Sequence, residues 1–167
     1  MATDKGKYDY ELDLRSATYD DVHTVLSWRN EPATIRNMKT KRPLAFEEHE
    51  PWFKKTISDP TCQFLIIEAD GEPIGQLRYN LEDDKAKVST NITEAWHGRG
   101  VASRAFVAGS KHVKKTGFAD VIFARVLQSN IGSIRAMQKA GYIIDDDMEY
   151  EGEPHYYMSH DLSQVEV

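Results

Sequence analysis

The sequence predicts an α+β fold built on a mixed β-sheet, and three observations carry that prediction. Strand-like and helix-like segments follow one another in the order β-α-α-β-β-β-α-β-α-β-β, which implies a mixed sheet with helices packed on it. Two polar clusters, Asp70-Gly71-Glu72-Pro73 and Glu151-Gly152-Glu153-Pro154, have turn chemistry and join strand-like runs as hairpins. The hexapeptide His97-Gly98-Arg99-Gly100-Val101-Ala102 sits where a strand-like run, Lys87 to Ile92, gives way to a helix-like one.

Tyr10 to Arg15 alternates apolar and polar residues and reads as the first strand. Thr18-Tyr19-Asp20-Asp21 has an N-cap residue with an acid three positions on. Val22, Val25, Leu26 and Trp28 then share one helical face, and Glu31-Pro32 ends that helix. A second helical pattern runs from Phe46 to Ile57 through His49, Trp52 and Phe53, closed by Asp59-Pro60. Gln63 to Glu68 and Ile74 to Asn80 form a hairpin, and the polar turn Leu81 to Lys85 leads into a strand from Ala86 to Thr93. The helix after the glycine turn runs from Val101 to Thr116 and stops at Gly117. Ala119 to Leu127 is a strand, Ile131 to Ala140 a helix stopped by Gly141, and Tyr142 to Tyr150 pairs with His155 to His160 as a last hairpin.

Composition narrows the class. The chain has 167 residues, 40% hydrophobic and 29% charged, which fits a single globular domain spanning 1–167 with residues 1–8 a flexible N-terminal segment. A net charge of -6 argues against a general nucleic-acid binder. The basic stretches Lys39-Thr40-Lys41-Arg42 and Lys111 to Lys115 read as solvated faces. One cysteine, Cys62, excludes an intrachain disulfide and fits a reducing compartment; beside a β-like run it reads as a small apolar residue, not a nucleophile. No run of about 18 apolar residues is present to cross a bilayer. Residues Met1 to Lys7 lack the apolar core of a signal peptide. A cytoplasmic protein with no membrane or nucleic-acid partner and no metal is the expectation.

The glycine turn carries the chemistry. Two glycines at a strand-to-helix junction leave backbone N–H groups uncovered at the positive end of a helix dipole, and diphosphate is the usual occupant of such a site. About thirty residues on comes Asn130-Ile131-Gly132-Ser133, followed by Lys139-Ala140-Gly141-Tyr142. The pair of motifs within this strand order resembles the GNAT superfamily of N-acetyltransferases, and the resemblance runs from Leu14-Arg15 to Tyr157. It implies a mostly antiparallel sheet splayed between the fourth and fifth strands, and acetyl-CoA as co-substrate. The diphosphate would rest on the backbone of Gly98, Arg99, Gly100, Val101, Ala102 and Ser103, with Arg99 adding a cation at the rim. The family usually opens the motif with Gln or Arg, so His97 is a departure that leaves the backbone cradle intact. The pantetheine arm would pair with the backbone of Ile92 and Thr93, where an N–H could stabilise the oxyanion. Asn130 would cap its helix and contact the cofactor arm beside Ser133.

Two positions depart from the family's catalytic pattern. Met137 stands where many relatives place a proton-donating tyrosine. Arg125 stands where acetyltransferases of protein N-termini can carry a glutamate base. In the N-terminal half, Trp28-Arg29-Asn30-Glu31, Glu47 to Phe53 and Ile74 to Tyr79 resemble the branch that acetylates amino groups of nucleotide-linked sugars. On that reading Arg29, Arg36 and Arg78 offer cations for the acceptor's phosphates. Trp28, Trp52 and Tyr79 offer stacking faces, Asn30 lines the site, and His49 is the candidate base. Each has a plainer reading: core packing for the tryptophans, a local turn contact for Arg29-Asn30, a structural hydrogen bond for His49, ordinary surface for Glu94, and a terminal hairpin for His155 to Tyr157. The implied reaction is direct attack of a primary amine on the thioester. The alternatives are a ribosomal-protein-type N-terminal acetyltransferase and a non-catalytic acyl-CoA-binding module. A homodimer could form through the edge of the C-terminal strands.

Overall fold

The computed structural model describes residues 9–167; the flexible N-terminal segment expected at 1–8 lies outside them. Seven strands hydrogen-bond in one sheet. They are β1 (Leu12–Ser16), β2 (Cys62–Ala69), β3 (Glu72–Glu82), β4 (Lys85–Ile92), β5 (Val121–Leu127), β6 (Ile143–Tyr150) and β7 (Glu153–Asp161). Their order in the sheet is β1-β2-β3-β4-β5-β7-β6. The β1–β2, β5–β7 and β6–β7 pairs are antiparallel and β4–β5 is parallel, so the sheet is mixed as expected. The parallel β4–β5 pair needs a crossover, which the helix after the glycine turn provides.

Among the described residues, five α-helices accompany the sheet: α1 (Val22–Arg29), α2 (Pro32–Arg36), α3 (Phe46–Ile57), α4 (Val101–Thr116) and α5 (Ile131–Lys139). The extra one is α2. Pro32 ends α1 as predicted, but it also starts a new turn, because its fixed φ and missing N–H suit the first helical position. Strand ends also shift: β3 runs on to Glu82, and Thr93 lies just beyond β4.

Backbone contacts divide the described chain into two compact units. The first takes the residues up to Arg78 together with Thr90–Val101. Part of its core is an apolar cluster: Val22, Val25 and Trp28 of α1, Phe53 of α3, and Phe64 and Ile66 of β2, with Phe46, Ile57 and Cys62 at its margin. The second unit takes Tyr79–Ser89 and Ala102–Val167. Here β5 pairs with β7 along its whole length, while its ladder with β4 covers only Ala86–Lys87 against Ile122–Phe123. Tyr142 packs on Phe106 and stacks on His160. A Cβ on Gly141 would come within 2.7 Å of the His160 ring, so the Gly141-Tyr142 pair is a packing requirement of this unit.

Candidate active site

The glycine turn has the backbone that an anion cradle needs. Gly98 and Gly100 take φ values of +75° and +73°, a region that costs L side chains about 1–2 kcal/mol. Immediately after them the 16-residue α4 begins at Val101. A Cβ built on Gly98 meets no atom within 4 Å, so the space over the turn is open. The turn itself is anchored. Tyr10 donates from its hydroxyl to the Arg99 carbonyl at 3.1 Å, and the Arg99 guanidinium lies 3.9 Å from the centre of the Trp96 ring. Arg99 is thus stacked on Trp96, with Tyr10 edge-on to the same ring.

At the exit of β4 the backbone is partly committed. The Thr93 N–H donates to the Ile74 carbonyl of β3 at 2.9 Å. Alternation along a strand then turns the Ile92 N–H and C=O toward the opposite edge. The carbonyl there already accepts a hydrogen bond from His97 Nε2 at 2.8 Å. Of the backbone groups expected to hold a pantetheine arm, the Thr93 N–H is therefore used within the sheet and the Ile92 carbonyl is capped. The Ile92 N–H is the donor that faces away from β3. His97, which matched no family residue, has a definite structural role as that cap.

Asn130 does what its position implies for α5: its Oδ1 accepts from the Ser133 N–H at 3.2 Å. Gly132 has open space around its Cα, so a ligand could approach this helix start closely. Met137 is 4% exposed and belongs to the core.

The expected acceptor residues separate into two groups. Trp28 is 5% exposed within the α1–α3 core. Asn30 grips the backbone of Leu44, donating from Nδ2 to its carbonyl at 2.9 Å and accepting its N–H at 2.8 Å. Arg29 donates to the Thr40 carbonyl. Tyr79 is fully buried, on the face of β3 opposite Arg78, and burial pushes its phenol upward. His49 is 2% exposed, and its Nε2 donates to the Val22 carbonyl at 3.0 Å. Burial lowers its pKa, keeping the ring neutral, and the neutral ring is enclosed by Trp52 and Phe53. These five make contacts that serve the fold; the ring nitrogen of His49, the expected base, that is bonded faces a backbone carbonyl. Asn130 acts here as a helix cap, not as an acid or base.

Trp52 stays accessible, and Arg78 lies half-buried beside it. Trp52 is 41% exposed, and the Arg78 guanidinium lies 5.1 Å from its ring centre and 5.9 Å from that of Phe64. Burial lowers the Arg78 pKa, yet a guanidinium remains charged at any working pH. Arg36 is exposed. In the second unit Arg125 donates to Glu82 at 3.1 Å and lies over Phe123 and Tyr150, while Tyr157 stacks on Phe123. Cys62 has no disulfide partner and sits beside the α1–α3 core.

Sequence reasoning missed Glu31. Its carboxylate accepts the Thr93 hydroxyl at 2.6 Å and the Glu94 N–H at 3.1 Å, across 62 residues of chain. A glutamate just before a helix-starting proline gives no local sign of that reach.

With this geometry in place the comparisons are direct. The family model for the acetyltransferase (GNAT) domain matches residues 11–143, and the chain belongs to that family. That family membership makes it an acetyltransferase of the GNAT type. No curated protein matches it in sequence. Solved structures similar to it include the aminoglycoside acetyltransferase AAC(6')-Ib in complex with paromomycin and acetyl-CoA, with 17% identity, a TM-score of 0.80, and 90% of this chain and 93% of that one covered. Spermidine N-acetyltransferase from Vibrio cholerae in complex with CoA and spermine is similar at 17% identity and a TM-score of 0.82, covering 92% and 97%. An uncharacterised protein from Bacillus halodurans is similar at 16% identity and a TM-score of 0.79, covering 93% and 86%. Among the described residues, no helix is long and apolar enough to cross a membrane and no cluster of three or more His, Cys, Asp or Glu could hold a metal.

Proposed function

We propose that this acetyltransferase acylates the primary amine of a nucleotide-linked amino sugar by direct attack. The observation that carries the donor half is the Gly98–Ser103 backbone: two left-handed glycines open directly into α4, with unfilled space over Gly98. A diphosphate there would be held by N–H groups and the helix dipole. Acetyl-CoA, when bound, supplies a thioester carbonyl as the acyl group to be transferred. The Ile92 N–H is the backbone donor placed for the negative charge that develops on that carbonyl oxygen. A thiol leaves with a pKa of about 8.5, so the absence of a tyrosine at Met137 is tolerable. The amine is taken up as the free base or loses its proton to water, because His49 is committed to Val22.

The acceptor half rests on Trp52 and Arg78. An indole face that is 41% exposed suits a base or sugar ring, and the neighbouring guanidinium suits its phosphates. Arg125, bonded to Glu82, counts against the N-terminal peptide reading, since no carboxylate base stands at that position. A second reading has an observation of its own. Asp145, Asp146, Asp147, Glu149, Glu151 and Glu153 are all exposed on the last hairpin, which suits a polycationic acceptor of the kind named for the aminoglycoside and spermidine enzymes.

One experiment separates them: CoA thiol release from acetyl-CoA with UDP-linked amino sugars, spermidine, kanamycin and N-terminal peptides. The sugar nucleotide is expected to give the highest kcat/KM. A tenfold preference for spermidine or kanamycin would replace the first reading by the second.

A further inference from the structure

The segment Asn91–Glu94 is held by side chains from outside its own strand to an unusual degree. Thr34 of α2 donates from its hydroxyl to Asn91 Oδ1 at 3.2 Å. Glu31 accepts from both Thr93 and Glu94, and His97 caps Ile92 from the other side. The Glu94 N–H opens a 3-10 turn, Glu94–Trp96, whose own N-cap residue Thr93 makes no side-chain cap. Glu31 supplies that missing cap from another element, and a carboxylate is the best acceptor at the positive end of a turn. Its own helix α2 takes no side-chain cap from it. The close approach of β3 leaves little alternative to this arrangement, because a Cβ on Gly75 would stand 2.6 Å from the Asn91 carbonyl.

We propose that Glu31 is a positioning residue for the acyl donor. Its two hydrogen bonds hold the Thr93 hydroxyl and the N–H of the Thr93–Glu94 peptide unit. Ile92, with its outward N–H, lies one residue before them, and the glycine turn begins five residues after Thr93. Released from Glu31, Thr93 can rotate and the 3-10 turn can fray, and both the N–H and the turn lose their set direction. A bond to a charged acceptor is worth more than a neutral one, so the charge itself is part of the function. The inference rests on acetyl-CoA occupying Ile92–Ser103.

The test is calorimetric binding of CoA to the full chain, alongside steady-state kinetics and thermal melting, for wild type, Glu31→Gln, Glu31→Asp and Thr93→Val. Glu31→Gln keeps the shape but turns an N–H-bearing amide toward one of the two donors. Its CoA Kd and acetyl-CoA KM are expected to rise about tenfold, with kcat at saturation within about threefold and the melting point nearly unchanged. Thr93→Val should reproduce part of the rise, and the double variant should cost less than the sum of the two, since both break the same bond. Glu31→Asp should fall between wild type and Glu31→Gln. Wild-type CoA binding with an unchanged Kd in folded Glu31→Gln and Thr93→Val overturns the role of Glu31 while leaving the acetyl-CoA reading intact. Absence of CoA binding by wild type overturns both.

Discussion

The Gly98–Ser103 turn and the Trp28–Glu31 tetrapeptide differ in which atoms act. In the turn the working groups belong to the main chain, and the side chains are small or, like Arg99, folded back onto Trp96. In the tetrapeptide every working group is a side chain, and each goes to a different place. Trp28 enters the core, Arg29 reaches Thr40, Asn30 grips Leu44, and Glu31 reaches Thr93 and Glu94. The turn is a local object: a six-residue peptide and the helix after it contain its geometry. The tetrapeptide is a junction whose meaning depends on partners 11 to 63 residues away.

The contrast can be broken most sharply at Gly98. Valine there would have to adopt φ +75°, a strained conformation for a β-branched residue, and would fill the open space over the turn. CoA affinity measured by calorimetry is expected to fall at least a hundredfold, with a modest drop in melting temperature. An unchanged affinity would remove the cradle from the mechanism. Asn30→Ala should show the opposite profile. It strips two hydrogen bonds from the Leu44 backbone, so the loss is roughly 2 kcal/mol of stability, or about 5 °C in melting temperature. Its CoA Kd should stay within about twofold, and a larger change would merge the two regions into one functional unit.

His49 gives a smaller effect with a definite sign. Its folded pKa is lowered by burial, as are those of His112 and His160. Such groups contribute stability that is present above their unfolded pKa, about 6.5, and is lost as pH falls toward the folded values. Urea midpoints should therefore decline on acidification below about pH 6.5. His49→Gln should flatten that decline in part, since His112 and His160 remain. The same variant should keep kcat within about threefold at pH 7.5, whereas removing a general base would cost about 10²–10⁴-fold. Cys62→Ala should leave turnover within about twofold, because direct attack needs no acyl-cysteine; the cost is the loss of one small side chain at the core margin. Smallest of all, Gly132→Ala should raise the melting point slightly, since alanine is favoured in a helix by roughly 1 kcal/mol over glycine. An accompanying loss of CoA affinity would mark the start of α5 as part of the cradle.

Most of the strand order was legible because alternation, turn residues and helix stops are written within ten or so residues of each other. The α2 turn was missed because Pro32 is an equally good helix stop and helix start, and only the φ, ψ of Glu31 decides between them. On the acceptor side, His49 and Tyr79 share chemistry with substrate-binding residues elsewhere. Their side chains point inward because helix and strand periodicity set them on the buried face, His49 against the Val22 carbonyl and Tyr79 opposite Arg78. Trp52 stays 41% exposed, with the half-buried Arg78 guanidinium 5.1 Å from its ring centre.

The sequence by itself determined the glycine turn, the helix that follows it and the cap at Asn130, and through them the acetyltransferase family. Those features depend on φ, ψ preferences and hydrogen bonds within a few residues, which composition at each position controls. Only the tertiary structure decided that His97 caps Ile92, that Thr93 spends its N–H on Ile74, and that Glu31 holds Thr93 and Glu94. The bonds of Thr93 and Glu94 join groups from 19 to 63 positions apart. His97 and Ile92 are close in sequence, but whether their side chain and carbonyl meet depends on how β3 and α2 set the path between them.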